Sequence, residues 1–409
     1  MPHPLRTVCI IAAGLFAVSG AHAQQMDGWP DWLVEAMEAE SRKLKNARMD
    51  IEAGPYSFEL PKKTTGPNAF DGGWYFESDI GSNTPVECYV MTNDIDLASF
   101  TTTMAQLNID ATVEANPGDL ATLNLFTLDA GNLGGIPYFA VEWIYTVGEA
   151  PSAMVGFSKV LTATNGAITQ ACSHNTIGYR ESFKQVFETF VQSLQQPAPE
   201  TEPYYEELGL QTLDNQPVGF TFSSYTLDAD GDTRIETVTA SLFPVGPDAL
   251  ASSDSTDVTW STPDGLTINS LSASAENGEL TTNLQLVRND IGDWVVAGTF
   301  QGKELEEIID GNIEPLTGVG EMQLARDLMA GDDTSIAYPV WTTDADPTRF
   351  LEASITRDDE ETAGQVILTL GPLTMNGRLD EIGSLEYGAM QMGASQLIFE
   401  RVWNRGTPK

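Results

Sequence analysis

The stretch Asp228-Ala229-Asp230-Gly231-Asp232-Thr233-Arg234-Ile235-Glu236 places carboxylates at its first, third, fifth and ninth positions. A turn with that spacing converges several oxygens on one point, as a hard cation such as Ca2+ requires. Two positions depart from an EF-hand loop: Thr233 stands where the turn glycine belongs, and Thr239 where the bidentate glutamate belongs. A metal site built from Asp228, Asp230, Asp232 and Glu236 would be weak, roughly millimolar, a strength still used outside the cell. The plainer reading is an acidic hairpin turn in an acidic chain.

Other chemistry is sparsely supplied. His174 follows Cys172 with one residue between them, so the two belong to a single extended strand, and a Cys172 held in a disulfide is no nucleophile. Removal of the leader described below makes His174 the only histidine, too few for a zinc site with several His or Cys ligands. It reads as structural. The chain has no G-x-S-x-G elbow, Walker loop, G-x-G-x-x-G or H-E-x-x-H. Met390-Gln391-Met392 is too small a cluster to argue for copper. No catalytic residue and no organic cofactor is assigned. A glycosidase needs only two carboxylates at the correct separation, and 59 acidic residues leave that choice open.

Residues 1–23 have the layout of a secretory signal peptide. Arg6 precedes an apolar run of about 11 residues, short of the ~20 that span a bilayer. Ala21 and Ala23 set a cleavage site before Gln24, and Cys9 lies too early in the run for lipid anchoring. No later stretch is long and apolar enough to cross a membrane, so a periplasmic or secreted product is expected. Loss of Cys9 leaves Cys88 and Cys172, an even pair in an oxidising compartment, and one disulfide between them is expected. Two separate buried thiols are the alternative. By the chain-entropy model so long a loop contributes about 4 to 5 kcal/mol.

The formal charge is −39, and losing Arg6 makes it −40. Such a field repels nucleic acid and anionic lipid, which excludes DNA, RNA and general membrane binding as natural roles. It also keeps a chain hydrated and monomeric in salty surroundings.

The elements that must position these residues fall into two parts. Leu33, Ala36, Met37, Leu44 and Ala47 recur at helical spacing from Pro30 to Ala47, with acids early and cations late. Arg42, Lys43, Lys45, Arg48, Lys62 and Lys63 concentrate positive charge there, and Trp29 and Trp32 would suit an interfacial helix, although packing on its own domain is the simpler outcome. Strands are expected at 56–60, 74–80, 86–92, 123–128, 138–147, 153–163 and 167–172, interrupted by a helix near Leu97–Leu107. Asn165-Gly166 reads as a hairpin turn. Phe183, Val186, Phe187, Phe190, Val191 and Leu194 give Tyr179–Gln195 one apolar helical face, which must lie on a sheet.

This order of elements, with Ala167-Ile168-Thr169-Gln170-Ala171-Cys172-Ser173-His174 leading into Gly178-Tyr179-Arg180-Glu181-Ser182-Phe183, resembles the PsbP-like α+β sandwich over residues 55–195. The resemblance implies an adaptor or assembly role and no enzymatic one.

Gln195 to Pro203 is a Pro-rich bridge. Beyond it strands are expected at 218–226, 234–243, 258–261, 266–271, 280–287, 294–300, 336–341, 350–357, 365–370 and 396–402, the last with a helical alternative. Short helices are expected at Lys303–Ile309 and Gly318–Ala330. The layout is therefore α+β in two domains: a leader at 1–23, an amphipathic helix in 24–54, an antiparallel sheet with flanking helices in 55–196, a linker at 197–206, and a β-rich meander or half-barrel with two short helices in 207–409. The expected function is non-enzymatic binding or assembly in the cell envelope, with an envelope protein, a lipid or a glycan as partner. The alternatives are a carboxylate-based hydrolase of envelope polysaccharide and a calcium-dependent adhesion module.

Overall fold

The computed structural model describes residues 31–41, 44, 48–92, 95–116, 121–149, 154–199, 201–358 and 364–408. The leader, Trp29 and the cations Arg42, Lys43 and Lys45 lie outside the described residues. The described residues begin with helix α1 (Asp31–Met37) and a hairpin of β1 (Arg48–Ala53) and β2 (Tyr56–Pro61). The helix expected to reach Ala47 is thus shorter. Its Leu33 and Met37 pack on Ile144, Phe157 and Ile177, which leaves Trp32 on the solvent side. Arg48, expected among the helix's cations, opens a strand instead.

There follow β3 (Thr64–Phe70), β4 (Gly73–Ser78), β5 (Val86–Met91), α2 (Leu97–Glu114), β6 (Ala121–Asn132), β7 (Pro137–Val147), β8 (Met154–Thr164), β9 (Thr169–His174) and α3 (Arg180–Gln192). Seven strands form one antiparallel sheet in the order β3-β4-β5-β9-β8-β7-β6. Strand β7 shows why both faces are covered. Phe139, Val141, Trp143, Tyr145 and Val147 point to the α2 side, while the alternate residues face α3 and α1. On α3, Phe183, Val186, Phe187, Phe190 and Val191 are buried, each stabilising by about 1.5–3 kcal/mol relative to exposure. Cys88 and Cys172 are register partners on β5 and β9, and they are disulfide-bonded.

The second part holds β10 (Tyr205–Leu213), β11 (Gln216–Leu227), β12 (Thr233–Gly246), β13 (Ala249–Ser261), β14 (Thr267–Glu276), β15 (Glu279–Arg288), β16 (Trp294–Phe300) and β17 (Lys303–Ile309). After helix α4 (Gly318–Ala330) come β18 (Ser335–Val340), β19 (Leu351–Arg357), β20 (Gln365–Leu370), β21 (Leu373–Leu379), β22 (Leu385–Met392) and β23 (Ser395–Gly406). All fourteen strands form one antiparallel sheet, because β23 pairs with the free side of β10 and joins two meanders.

One element differs from expectation here. Lys303–Ile309 has helix-favouring residues but is edge strand β17: Gln301 and Gly302 adopt positive φ values, 50° and 71°, and turn the chain straight back onto β16. The closing segment is strand β23, as expected, and not the helical alternative. The sheet curls around α4, whose Val319 and Met322 pack with Tyr205, Tyr225 and Ile235, while Ala325 and Leu328 pack with Tyr338, Val340, Leu351 and Ile355. Trp294 on β16 meets Phe350 beside β19 edge to face, with ring centroids 6.0 Å apart, so opposite ends of the sheet approach each other.

The outer face of β10–β12 contributes Leu208, Val218, Phe220, Ala240 and Leu242 to the same cluster as Leu128, Phe139 and Val141 of the first sheet. The two sheets therefore share a core across the Pro-rich bridge. Asp254 on β13 reinforces it by accepting from the backbone N–H groups of Ala98 (2.8 Å) and Ser99 (3.0 Å) at the start of α2.

Candidate functional site

The row Thr127–Glu142–Lys159–His174 runs straight across β6, β7, β8 and β9 as successive register partners. Its three ionisable members lie on the α3 side and are almost completely enclosed: Glu142 is 5% exposed, Lys159 3% and His174 1%. One side of the row carries the apolar Ala140, Leu161 and Cys172; the other carries Ile144 and Phe157 beneath α1. Charges so placed need partners, since an unpaired buried ion costs several kcal/mol.

Most of the partners come from the β9–α3 loop. Lys159 Nζ donates to the carbonyls of Thr176 and Gly178. Arg180, the first residue of α3, places Nε 2.8 Å from Glu142 Oε2. Tyr179 before it adopts φ 58° and offers no side-chain cap; the helix is capped by Glu40, which accepts from the N–H groups of Glu181 (3.0 Å) and Ser182 (2.9 Å). Gly178 has φ +77°, and a Cβ there would lie 2.2 Å from the carbonyl oxygen of Ala36. The N-terminal segment, the loop and the charged row thus lock one another.

One polar atom of the ion pair remains unpartnered: Glu142 Oε1 makes no hydrogen bond although it is fully buried. Glu142 as a residue lines a pocket of about 350 Å³, together with Thr127, Asp129, Tyr138, Arg180 and Phe183. That volume is at the small end of the range for small-molecule sites, about 300–1,000 Å³. His174 is held by Ser82 Oγ, 3.1 Å from its Nε2, and by a backbone hydrogen bond with Thr84.

Burial dominates the electrostatics. It pushes the Glu142 carboxyl upward, against the opposing pull of Arg180 and Lys159 and of a side-chain hydrogen bond from Thr127. It pushes Lys159 down to about 8, with Glu142 opposing. His174 falls to about 3 through burial and the neighbouring Lys159, so it stays neutral. Asp129 is raised by burial against Lys184, and Tyr138, which points its hydroxyl at Asp129 from 3.5 Å, is raised to about 12. The arrangement can accept a hydrogen bond at Glu142. It does not present Lys159 as a nucleophile, because Nζ is committed to two carbonyls.

The residues singled out in the sequence lie elsewhere. Asp228 Oδ1 accepts from the N–H groups of Asp230 (2.9 Å) and Asp232 (3.0 Å), closing a hairpin turn on itself. Glu236 lies on β12, paired with Arg234 at 2.6 Å. The loop's carboxylates are not brought together, and among the described residues no group of three or more His, Cys, Asp or Glu is arranged to hold a metal. Sequence reasoning missed Glu142, Lys159 and Arg180. The signal was present as single charges inside the otherwise apolar runs Pro137–Val147 and Met154–Thr164.

No family model and no curated protein matches the sequence. Among solved structures, a β-barrel-like protein of the domain of unknown function DUF1849 from Brucella abortus is similar at 14% identity and a TM-score of 0.39, covering 50% of this chain and 97% of its own. A DUF1089 family protein from Pseudomonas aeruginosa is similar at 15% identity and a TM-score of 0.26, covering 41% of this chain and 87% of its own.

Proposed function

We propose that this chain is an exported, non-enzymatic binding protein of the cell envelope, periplasmic or secreted after cleavage near Ala23, and that the pocket beneath α3 holds a small polar ligand. The observation that carries the reading is Glu142, a residue of the pocket wall whose Oε1 is a buried acceptor without a donor. Leaving such an atom unpaired costs about 1–3 kcal/mol or more, which a bound donor would offset. The disulfide supports an oxidising, extracytoplasmic location. Among the described residues no helix is long and apolar enough to cross a membrane. The resemblance of residues 55–195 to PsbP-like domains agrees with an adaptor role.

A lipid carrier is less well supported. The inner face of the curled sheet carries paired hydroxyls, Thr221 with Thr239 (3.1 Å), Ser223 with Thr237 (3.1 Å) and Thr259 with Ser270 (2.8 Å), where acyl chains would need apolar walls. A thermal-shift screen of the exported protein against polar metabolites, glycans and lipids tests the reading. A shift that disappears in Glu142→Gln is expected, and an apolar ligand bound independently of Glu142 would sink it.

The runner-up, a carboxylate-based hydrolase of envelope polysaccharide, has one observation in its favour. Asp129 and Glu142 line the same pocket as diagonal neighbours on β6 and β7, a relation that sets Cβ atoms roughly 7–8 Å apart or less. Both carboxyls are raised by burial. Turnover of a glycan substrate that is lost in both Asp129→Asn and Glu142→Gln would favour it; binding without turnover favours the carrier.

A further inference from the structure

We infer that the ligand of this pocket is a neutral, hydroxyl-rich molecule of small-carbohydrate size, an inference that rests on reading the pocket as a ligand site. The first argument is charge. The pocket is lined by three carboxylates, Asp129, Glu142 and Glu181, and three cations, Lys159, Arg180 and Lys184, so its formal charge is zero within a chain of −39. A site for an anion or a cation carries an excess of the opposite sign; this one has none to offer.

The second argument is which groups are already engaged. Lys159 is held by two carbonyls and Arg180 by Glu142. A ligand anion would have to displace those bonds. A ligand cation at Glu142 would be brought up against Arg180 and Lys159, whose charges already act on that carboxyl. What the pocket lacks is a donor at Glu142 Oε1, and a carboxylate in an ion pair is an acceptor only. A neutral O–H supplies the donor without adding charge.

The third argument is the walls. Tyr138, Ala140, Leu161 and Phe183 give an aromatic and aliphatic surface beside the polar groups. A ring whose C–H faces are apolar and whose rim is hydroxylated uses both kinds of surface at once. Thr127, facing Glu142 from the neighbouring strand and hydrogen-bonded to its carboxyl, adds a hydroxyl that can still accept.

The test is calorimetric titration of the exported protein with maltose and N-acetylglucosamine as neutral probes, glucosamine as the cationic probe and glucuronate as the anionic one. Saturable binding of at least one neutral sugar is expected, weakened about tenfold or more in Glu142→Gln, with both charged probes weaker than the neutral ones. Tyr138→Ala, which removes a wall without touching the ion pair, is expected to weaken the neutral sugar too, and keeps the test decisive should Glu142→Gln fail to fold. If a charged probe binds more tightly and depends on Glu142 or Tyr138, the neutral class is overturned while the pocket reading survives. If no probe shows binding that depends on either residue, the inference and the pocket reading fall together.

Discussion

Glu40 caps the helix that begins at Arg180, accepting from the backbone of Ser182 across a separation of 142 residues. The same carboxylate bonds Glu181, so two of the unpaired N–H groups at the start of α3 are satisfied from outside the helix, and its charge complements the helix dipole. Arg180 stands on that first turn, so the cap also holds the arginine against Glu142.

Glu40→Ala is therefore expected to cost about 1–2 kcal/mol of stability, measured as a lower denaturant midpoint with unchanged slope. Glu40→Gln, which keeps an acceptor but loses the charge, should cost less. No cost in Glu40→Gln would show that the dipole contribution is negligible, and equal costs that the charge carries the whole effect.

The loop closed by Cys88 and Cys172 spans a sequence separation of 84. Replacing both by serine is expected to destabilise the chain by about 3–5 kcal/mol, and reductant should lower the melting temperature of the native protein but not of the double variant. The partners face each other across β5 and β9 at the centre of the first sheet, so loss of that sheet's protection in hydrogen exchange is the matching local readout.

Gly178→Ala should be costly, because this loop position is buried. The position combines positive φ with an approach to the Ala36 carbonyl that leaves no room for a Cβ. A loss of about 1–3 kcal/mol is expected, together with faster proteolysis near α1, because the new methyl must push the N-terminal segment off the loop. Clean melting at the wild-type temperature would contradict this packing.

Glu321 predicts a pH dependence. It lies in the first turn of α4, inside the curled sheet, and burial raises its carboxyl from 4.5 to about 7. The folded state thus holds the proton to higher pH than the unfolded state does. Stability from this group is complete below about 4.5 and is lost as pH rises through about 7. The size is at most about 3 kcal/mol, less where solvent reaches the carboxyl. Glu321→Gln should gain stability relative to the native chain as pH rises from about 4.5 to about 7, hold that gain above this interval, and show little below it. Unfolding free energies measured across that range check the sign.

Local pattern carried much of the fold. The alternation in Tyr138–Val147, the apolar stripe from Phe183 to Val191 and the Asn165-Gly166 turn are short-range signals, and each marks an observed element. Lys303–Ile309 misled because its residues favour a helix in isolation, while the turn at Gln301-Gly302 and pairing with β16 decide for a strand. Asp228 to Glu236 showed the converse: a spacing that suits a cation closes on its own backbone.

By itself, the sequence determined many of the elements, the acidic composition, the cysteine pair and the scarcity of histidine, because composition and short-range periodicity are properties of the chain. Only the tertiary structure decided that β23 returns to β10 to join fourteen strands, that Asp254 and Glu40 cap helices far from them, and that Thr127, Glu142, Lys159 and His174 form one row. Each of these depends on strand order and register between distant segments. A one-residue slip would turn every side chain of a strand to the opposite face, so the charges in β7 and β8 become a site only once pairing has placed them together.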